Sequence, residues 1–363
     1  MLNDFIRNNR EDLERFSAMS QTAGARTDWV QGGGGNTSVK LPGGLMAIKA
    51  SGFCLSDIRP DRAYAVLDCA ALRKFYTENE PDTLQDVEKE GSACAKANTL
   101  AAEGLEALRP SVEAGFHSLL GKFVCHTHSV YANLACCSAE LTQIAEKAFT
   151  GAEYSWGWVP YTDPGARLTF AIRDELRRVE KKTGKTPSVI LMQNHGLIVH
   201  DGDAETCLAV SRDANERLAA QFGIRADSFP PVAVAKRPDG LYEAAAPYLT
   251  ESLKSGRYSY HRLMDEPLYP DQIVFLNGTF FMDRPGLPEE GTCTADSKTG
   301  ALVMNLPEGK ARVLAETLTA VVFVMNHIAE KGCTLCTMGE AGKAFIANWE
   351  SEKYRKSLAG KKG

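Results

Sequence analysis

The sequence lacks any apolar run near the roughly 20 residues that a helix needs to cross a bilayer, which excludes an ordinary membrane-spanning chain. It also lacks an excess of basic charge: 46 acidic side chains stand against 41 basic ones, for a formal net charge of −5. Such a balance offers no electrostatic footprint for nucleic acid or an anionic membrane surface. The opening stretch MLNDFIRNNREDLERF carries four acidic residues and so does not read as a secretory leader. The ten cysteines are scattered and lack framework spacing. Without an export signal they read as reduced thiols of a cytoplasmic protein. There is no internal repeat and no low-complexity tract.

What remains is an ordinary globular composition, 44% hydrophobic and 24% charged over 363 residues. That length suggests about two domains on a prior of roughly 150 residues each. Apolar positions Leu2, Phe5, Ile6, Leu13, Phe16 and Met19 predict a helix over 2–23. After Gly32-Gly33-Gly34-Gly35, alternating residues predict two strands joined by Pro-Gly-Gly. Residues 60–108 read as helical with breaks near Pro81 and Gly91, and 111–120 as a further helix with Pro110 at its start. FVCHTHSVYANLACC starts as a strand and runs into a helix, and 166–182 and 204–222 are helical. SVILMQNHGLIVH reads as two strands around a tight turn at Asn194-His195-Gly196. RADSFPPVAVAKRPDG has the Pro, Gly and charge of a linker, which places a boundary near residue 228. Residues 1–228 carry the chemistry. Residues 229–363 form an α+β extension without a ligand cluster; QIVFLNG, TFFMD and ALVMNL read as strands, 310–331 as a long helix, and KSLAGKKG as a basic tail. This extension completes the fold, covers the site or mediates assembly.

Seven histidines are present, two of them in His126-Thr127-His128. Residues two apart on a strand share a face, so both rings can grip one ion; a metal-free pair at a strand end has the same pattern. His195 sits in a turn that presents its side chain, either as a plain turn histidine or as a third nitrogen ligand. Three such ligands with an open fourth position make a catalytic rather than a structural zinc site. His117 falls in an apolar helical pattern and packs.

Gly32–Gly35 with Asn36, Thr37 and Ser38 can turn backbone N–H groups toward an anion. A dinucleotide fingerprint needs a helix after its glycines, and here a strand follows, so a Rossmann site is rejected. Lys49-Ala50-Ser51-Gly52 offers a second small-residue turn with a hydroxyl. Glu113 alone is an ordinary first-turn acid. Cys333-Thr334-Leu335-Cys336 has the spacing of a thiol pair but no thioredoxin-like context, and carries no assignment.

Taken in order, GGGGNTS, KASG, PSVE, HTHS and NHGLI resemble the class II aldolase/adducin family, and the resemblance spans roughly residues 5–222. VPYTDPG is similar to the family's Pro-Tyr…Pro-Gly segment. The resemblance implies a three-layer α/β fold, with a central, mostly antiparallel sheet flanked by helices, often as a homotetramer. It implies zinc or another divalent ion on His126, His128 and His195, and Glu113 as the catalytic acid/base. It also implies a substrate phosphate held by Gly35, Asn36, Ser51, Gly52 and Ser111. The implied reaction is cleavage of a ketose phosphate to dihydroxyacetone phosphate and an aldehyde. Epimerases, dehydratases and decarboxylases of sugar phosphates share these motifs, and an adducin-like scaffold shares the fold. Within the family, the glycine turn and the long insert before PSVE are most similar to the aldolase half of bifunctional rhamnulose-phosphate aldolase/alcohol dehydrogenases. No glycine fingerprint follows residue 230 to suggest the dehydrogenase half. Two positions depart from fuculose-type aldolases: their tyrosine acid falls near Lys147, with Tyr154 offset, and their second phosphate serine is Val112.

Overall fold

Alternating apolar residues on either side of a Pro42-Gly43-Gly44 turn build a hairpin, strands β1 (Asn36–Leu41) and β2 (Leu45–Lys49), with Gly43 at φ +76°. The structure, a computed structural model, describes residues 4–102 and 104–348; Leu2 of the first predicted helix and the tail KSLAGKKG lie outside them. Six more strands follow: β3 (Tyr64–Asp68), β4 (Thr99–Leu100), β5 (Phe123–Thr127), β6 (Trp156–Val159), β7 (Val189–Met192) and β8 (Gly196–Asp201). They form one sheet in the order β4-β3-β2-β1-β5-β8-β7-β6. Every pairing is antiparallel except β6 with β7.

The period of two along each strand sorts its residues between two cores. Val39, Ala47, Val66, Cys125 and Leu191 face helices Arg10–Gly24 and Ala204–Gln221. Met46, Ile48, Ala65 and Leu67, with Val124, Ile190 and Ile198, face helices Cys69–Glu78, Ala114–Leu119 and Ala166–Thr183. The result is the expected three-layer α/β fold.

Residues past 228 add a second sheet of β9 (Ala233–Lys236), β10 (Tyr242–Ala245), β11 (Phe280–Met282), β12 (Cys293–Ala295) and β13 (Leu302–Met304), in the order β11-β12-β13-β10-β9. Helix Glu308–Lys331 fills a core with it, which also takes in Val130, Tyr131 and Leu134 of helix Val130–Cys136. Among the described residues this is the one helix long and apolar enough to cross a membrane, yet 72% of its apolar window is buried within the protein. It is a core helix.

Three sequence expectations are corrected. Residues 60–108 are not helical throughout: Tyr64-Ala65-Val66-Leu67 is buried on both sides and pairs with β2, so it is a central strand. QIVFLNG is not a strand but lies largely in helix Pro270–Leu276, whose first turn accepts Pro270. Ile273 and Leu276, three apart, give that helix its buried stripe. The stretch read as a linker contains β9, which pairs with β10.

Candidate metal centre

His126 lies on β5, the strand between β1 and β8, opposite Asn36 on one side and Ile198 on the other. His128 follows just past the strand end, before Ser129 caps helix Val130–Cys136 through Tyr131 N–H. His195 stands in the β7–β8 turn, where Asn194 takes a left-handed φ of +52°, a conformation asparagine tolerates better than most residues. A Cβ at Gly196 would strike Thr127 O, so glycine there lets β8 close on β5. The three rings converge, with centroids 4.9–5.0 Å apart, and one nitrogen from each lies within 4.8 Å of the others.

Hydrogen bonding fixes which nitrogens face inward. His126 Nδ1 donates to Leu197 O (3.0 Å), and His128 Nδ1 lies 2.5 Å from Asp271 Oδ2. A carbonyl or carboxylate oxygen only accepts, so each Nδ1 carries the hydrogen and each neutral ring presents a bare lone pair at Nε2. These two Nε2 atoms are 3.1 Å apart. Facing lone pairs repel at that distance, and a shared cation reverses the sign. A proton is not that cation at neutral pH, because burial pushes the His126 imidazole down to about 4. Burial also pushes His195 well below its ordinary value. Neutral imidazoles are what a metal needs. The three histidines therefore fit a divalent ion.

Glu113 completes the inner surface. It occupies the residue before helix Ala114–Leu119 without using its side chain as a cap. Its Oε2 lies 3.5 Å from His126 Nε2 and its Oε1 3.3 Å from His195 Nε2. Asn36 Nδ2 donates to Oε2 at 2.6 Å and to Ser111 Oγ at 3.0 Å, whereas Oε1 makes no hydrogen bond among the described residues. Burial alone would raise the Glu113 carboxyl, but its place against His126, His195 and His128 and the hydrogen bond from the Asn36 amide hold it below its ordinary value. It is a carboxylate.

His117 proves to be more than packing. It bridges Ser38 Oγ and Asn36 Oδ1, which turns the Asn36 amide so that its N–H groups face Glu113. The signal was its helical distance of four from Glu113, but an apolar helix face conceals a polar contact across the sheet.

A cavity opens beside Glu113, lined by Gly34, Gly35, Asn36, Lys49, Ser51, Ser111, His128, His195 and Asp271 among others. Its empty volume, open mouth included, is about 510 Å³. Backbone bonds from Ser51 N to Arg109 O and from Ser111 N to Lys49 O clip the two hydroxyl-bearing turns together. Gly35 has φ +63°, and a Cβ there would meet His126 O at 2.5 Å. Val112 lines the same cavity. Gly52 does not line it and is exposed. The Asn36 side chain is committed to Glu113, Ser111 and His117, and its backbone pairs with His126 in the sheet.

Two polar lining residues are not evident in the sequence. Lys49, buried, donates to Gly33 O (3.1 Å) and Phe53 O (2.7 Å) and supplies positive charge to the cavity wall. Asp271 comes from the C-terminal part of the chain. Tyr154, by contrast, donates to Asp213 at 2.7 Å and does not line the cavity. Cys333 and Cys336 are free thiols, and Cys336 Sγ is 3.4 Å from both Asn194 Oδ1 and Gln193 Nε2.

A three-histidine centre with an adjoining carboxylate, set on the mostly antiparallel sheet of a three-layer fold, is the donor set of metal-dependent chemistry. The class II aldolase and adducin N-terminal domain model matches residues 15–221, and the chain belongs to that family. Among solved structures it is similar to the N-terminal class II aldolase domain of a conserved protein from Thermoplasma acidophilum (20% identity, 57% of this chain and 92% of that one, TM-score 0.47). It is also similar to a sugar-phosphate aldolase from Thermotoga maritima (15%, 59% and 96%, 0.40). A third is the L-fuculose-1-phosphate aldolase from Thermus thermophilus (17%, 59% and 94%, 0.34). No curated protein matches the chain significantly.

Proposed function

We propose that the chain is a zinc-type, divalent-metal-dependent lyase that cleaves a ketose phosphate to dihydroxyacetone phosphate and an aldehyde, rhamnulose 1-phosphate being the first candidate. The observation that carries this reading is the placement of Glu113, whose carboxylate faces the three-histidine centre on one side and a cavity with a buried cation on the other. His126, His128 and His195 would hold the metal, which when bound supplies Lewis-acid stabilisation of charge developing on a substrate oxygen.

The protein's own groups do the rest. Lys49, the backbone of Gly35, and the hydroxyls of Ser51 and Ser111 form one polar wall that suits a phosphate dianion. Fixing a group remote from the reacting bond spends its binding energy on orientation. Glu113, held by Asn36, carries a proton to and from the carbon that loses its neighbour, with its unbonded Oε1 as the site of transfer. Asn36 keeps that carboxylate from turning away, and His117 in turn keeps Asn36 in place.

The test is incubation of the metal-loaded protein with rhamnulose 1-phosphate and related ketose phosphates, with all products identified. Release of dihydroxyacetone phosphate supports the proposal. A rearranged sugar phosphate, loss of water or loss of carbon dioxide would reassign the same centre to epimerase, dehydratase or decarboxylase chemistry.

A further inference from the structure

We infer that Asp271, contributed by the C-terminal part of the chain, is a positioning residue of the metal centre: its carboxylate locks the His128 ring with Nδ1 protonated and Nε2 bare toward the ion. The inference rests on the metal-ligand reading of His126, His128 and His195. It adds that the catalytic centre is incomplete without residues beyond the matched family region.

The first argument is geometric. Asp271 is 2% exposed and His128 5%, and the 2.5 Å contact between them spans 143 residues of sequence. A hydrogen bond to an ionised acceptor at that distance belongs to the strong class. A metal-bound histidine depends on such a partner at its outer nitrogen for ring orientation and basicity. His126 has Leu197 O in this place, whereas His195 Nδ1 has no hydrogen bond among the described residues. His128 alone has a carboxylate.

The second argument is charge. Among the described residues, no lysine or arginine forms an ion pair with Asp271 or with Glu113; each carboxylate is paired only with these imidazoles. Two buried carboxylates facing neutral rings are expensive to keep. One divalent ion on the far side of those rings balances both charges. The Lys49 ammonium, bonded to two backbone oxygens, lies on the cavity wall where an anionic substrate would meet it.

The third argument is that the fold builds the contact rather than tolerating it. Asn194, next to the ligand His195, donates to Leu268 O at 2.9 Å and to Cys336 O at 2.8 Å. Gln272 accepts from Leu268 N at 2.8 Å, and Cys336 N donates to Cys137 O at 2.7 Å. These bonds hold the start of helix Pro270–Leu276 against the turn that carries the third ligand. On the opposite side a Cβ on Gly34 would collide with Asp271 Oδ2 and lie 3.0 Å from His128 Nδ1. Only glycine leaves room for the pair. Pro270 and Val274 then wall the cavity beside the carboxylate.

The experiment measures zinc affinity of the full chain by competition with a chromophoric chelator, in wild type and Asp271→Ala. It is paired with imidazole 15N shifts of the metal-free protein, which report the tautomer of His128. Asp271→Ala is expected to weaken zinc about ten- to a hundredfold, with circular dichroism unchanged, and to shift His128 away from the Nδ1–H tautomer. Should the alanine variant not fold, Asp271→Asn keeps the shape and an acceptor oxygen without the charge, and an affinity between wild type and no binding is expected. Unchanged zinc affinity with an unchanged tautomer in a folded variant overturns the role of Asp271 and leaves the metal centre standing. A wild-type chain that takes up no zinc or other divalent ion overturns both. Catalytic turnover enters neither outcome, so the identity of the reaction is tested separately.

Discussion

At the residue scale, each polar atom around Glu113 has one task. Asn36 spends both ends of its amide, one on His117 and one on Glu113 and Ser111, and so brackets the carboxylate. Glu113 keeps one oxygen in that bracket and one unbonded. Glu113→Gln preserves shape and removes the proton carrier. Expected is a loss of about 10²–10⁴ in turnover with zinc content and melting temperature near wild type. A dihydroxyacetone-phosphate release assay beside metal analysis checks this; near-normal turnover assigns proton transfer to another group.

At the scale of elements, the strand–turn–helix stretches that carry the ligands were legible because their chemistry is local. His126 and His128 follow from a spacing of two at the end of one strand, His128 lying just beyond its last residue, and His195 from a turn whose Asn-His-Gly order announces a left-handed residue. Asp271 was not legible. It lies 143 residues from His128, in a stretch whose apolar run reads as a strand, and only tertiary packing decides that it is helical. Lys49 was overlooked for a related reason: a lysine closing a strand normally reaches solvent, and this one turns inward to two backbone oxygens. In the sequence the tetraglycine has the pattern of an anion cradle. Its geometry adds a second requirement, since Gly34 makes way for the Asp271–His128 pair. Gly34→Ala is therefore expected to lower zinc affinity by roughly the factor expected of Asp271→Ala, although it removes no polar atom. Gly43→Ala serves as the comparison; it meets no atom within 4 Å, though its φ of +76° strains any side chain, so it can cost stability but not zinc. Equal zinc affinity in all three chains would mean that the loop yields to the added methyl.

At the scale of the whole molecule, the two halves share a core as well as a site: Val130, Tyr131 and Leu134 from the aldolase-like part are buried with Leu249, Leu318 and Phe323 from the remainder. Burial of titratable groups across this mass sets how the fold responds to acid. His200 on β8 accepts the Gly121 N–H on Nδ1 at 3.2 Å, which a protonated ring cannot do. Burial, and then the Lys40 ammonium, push its imidazole down to about 4, from an ordinary value of 6.5. Burial brings His126 to the same value. Above about pH 6.5 both rings are neutral folded or unfolded, and stability is insensitive to them. Between 6.5 and about 4 the unfolded chain binds more protons than the native one. Stability therefore falls as pH is lowered through that window, by at most about 1.4 kcal/mol per pH unit per ring. The check is a series of urea midpoints on chelator-treated protein across the window. His200→Asn keeps an acceptor near the position of Nδ1 and cannot titrate there, so its midpoint should fall less steeply than that of wild type. Equal slopes would mean that His200 is already protonated in the fold and that its contact with Gly121 is not a hydrogen bond.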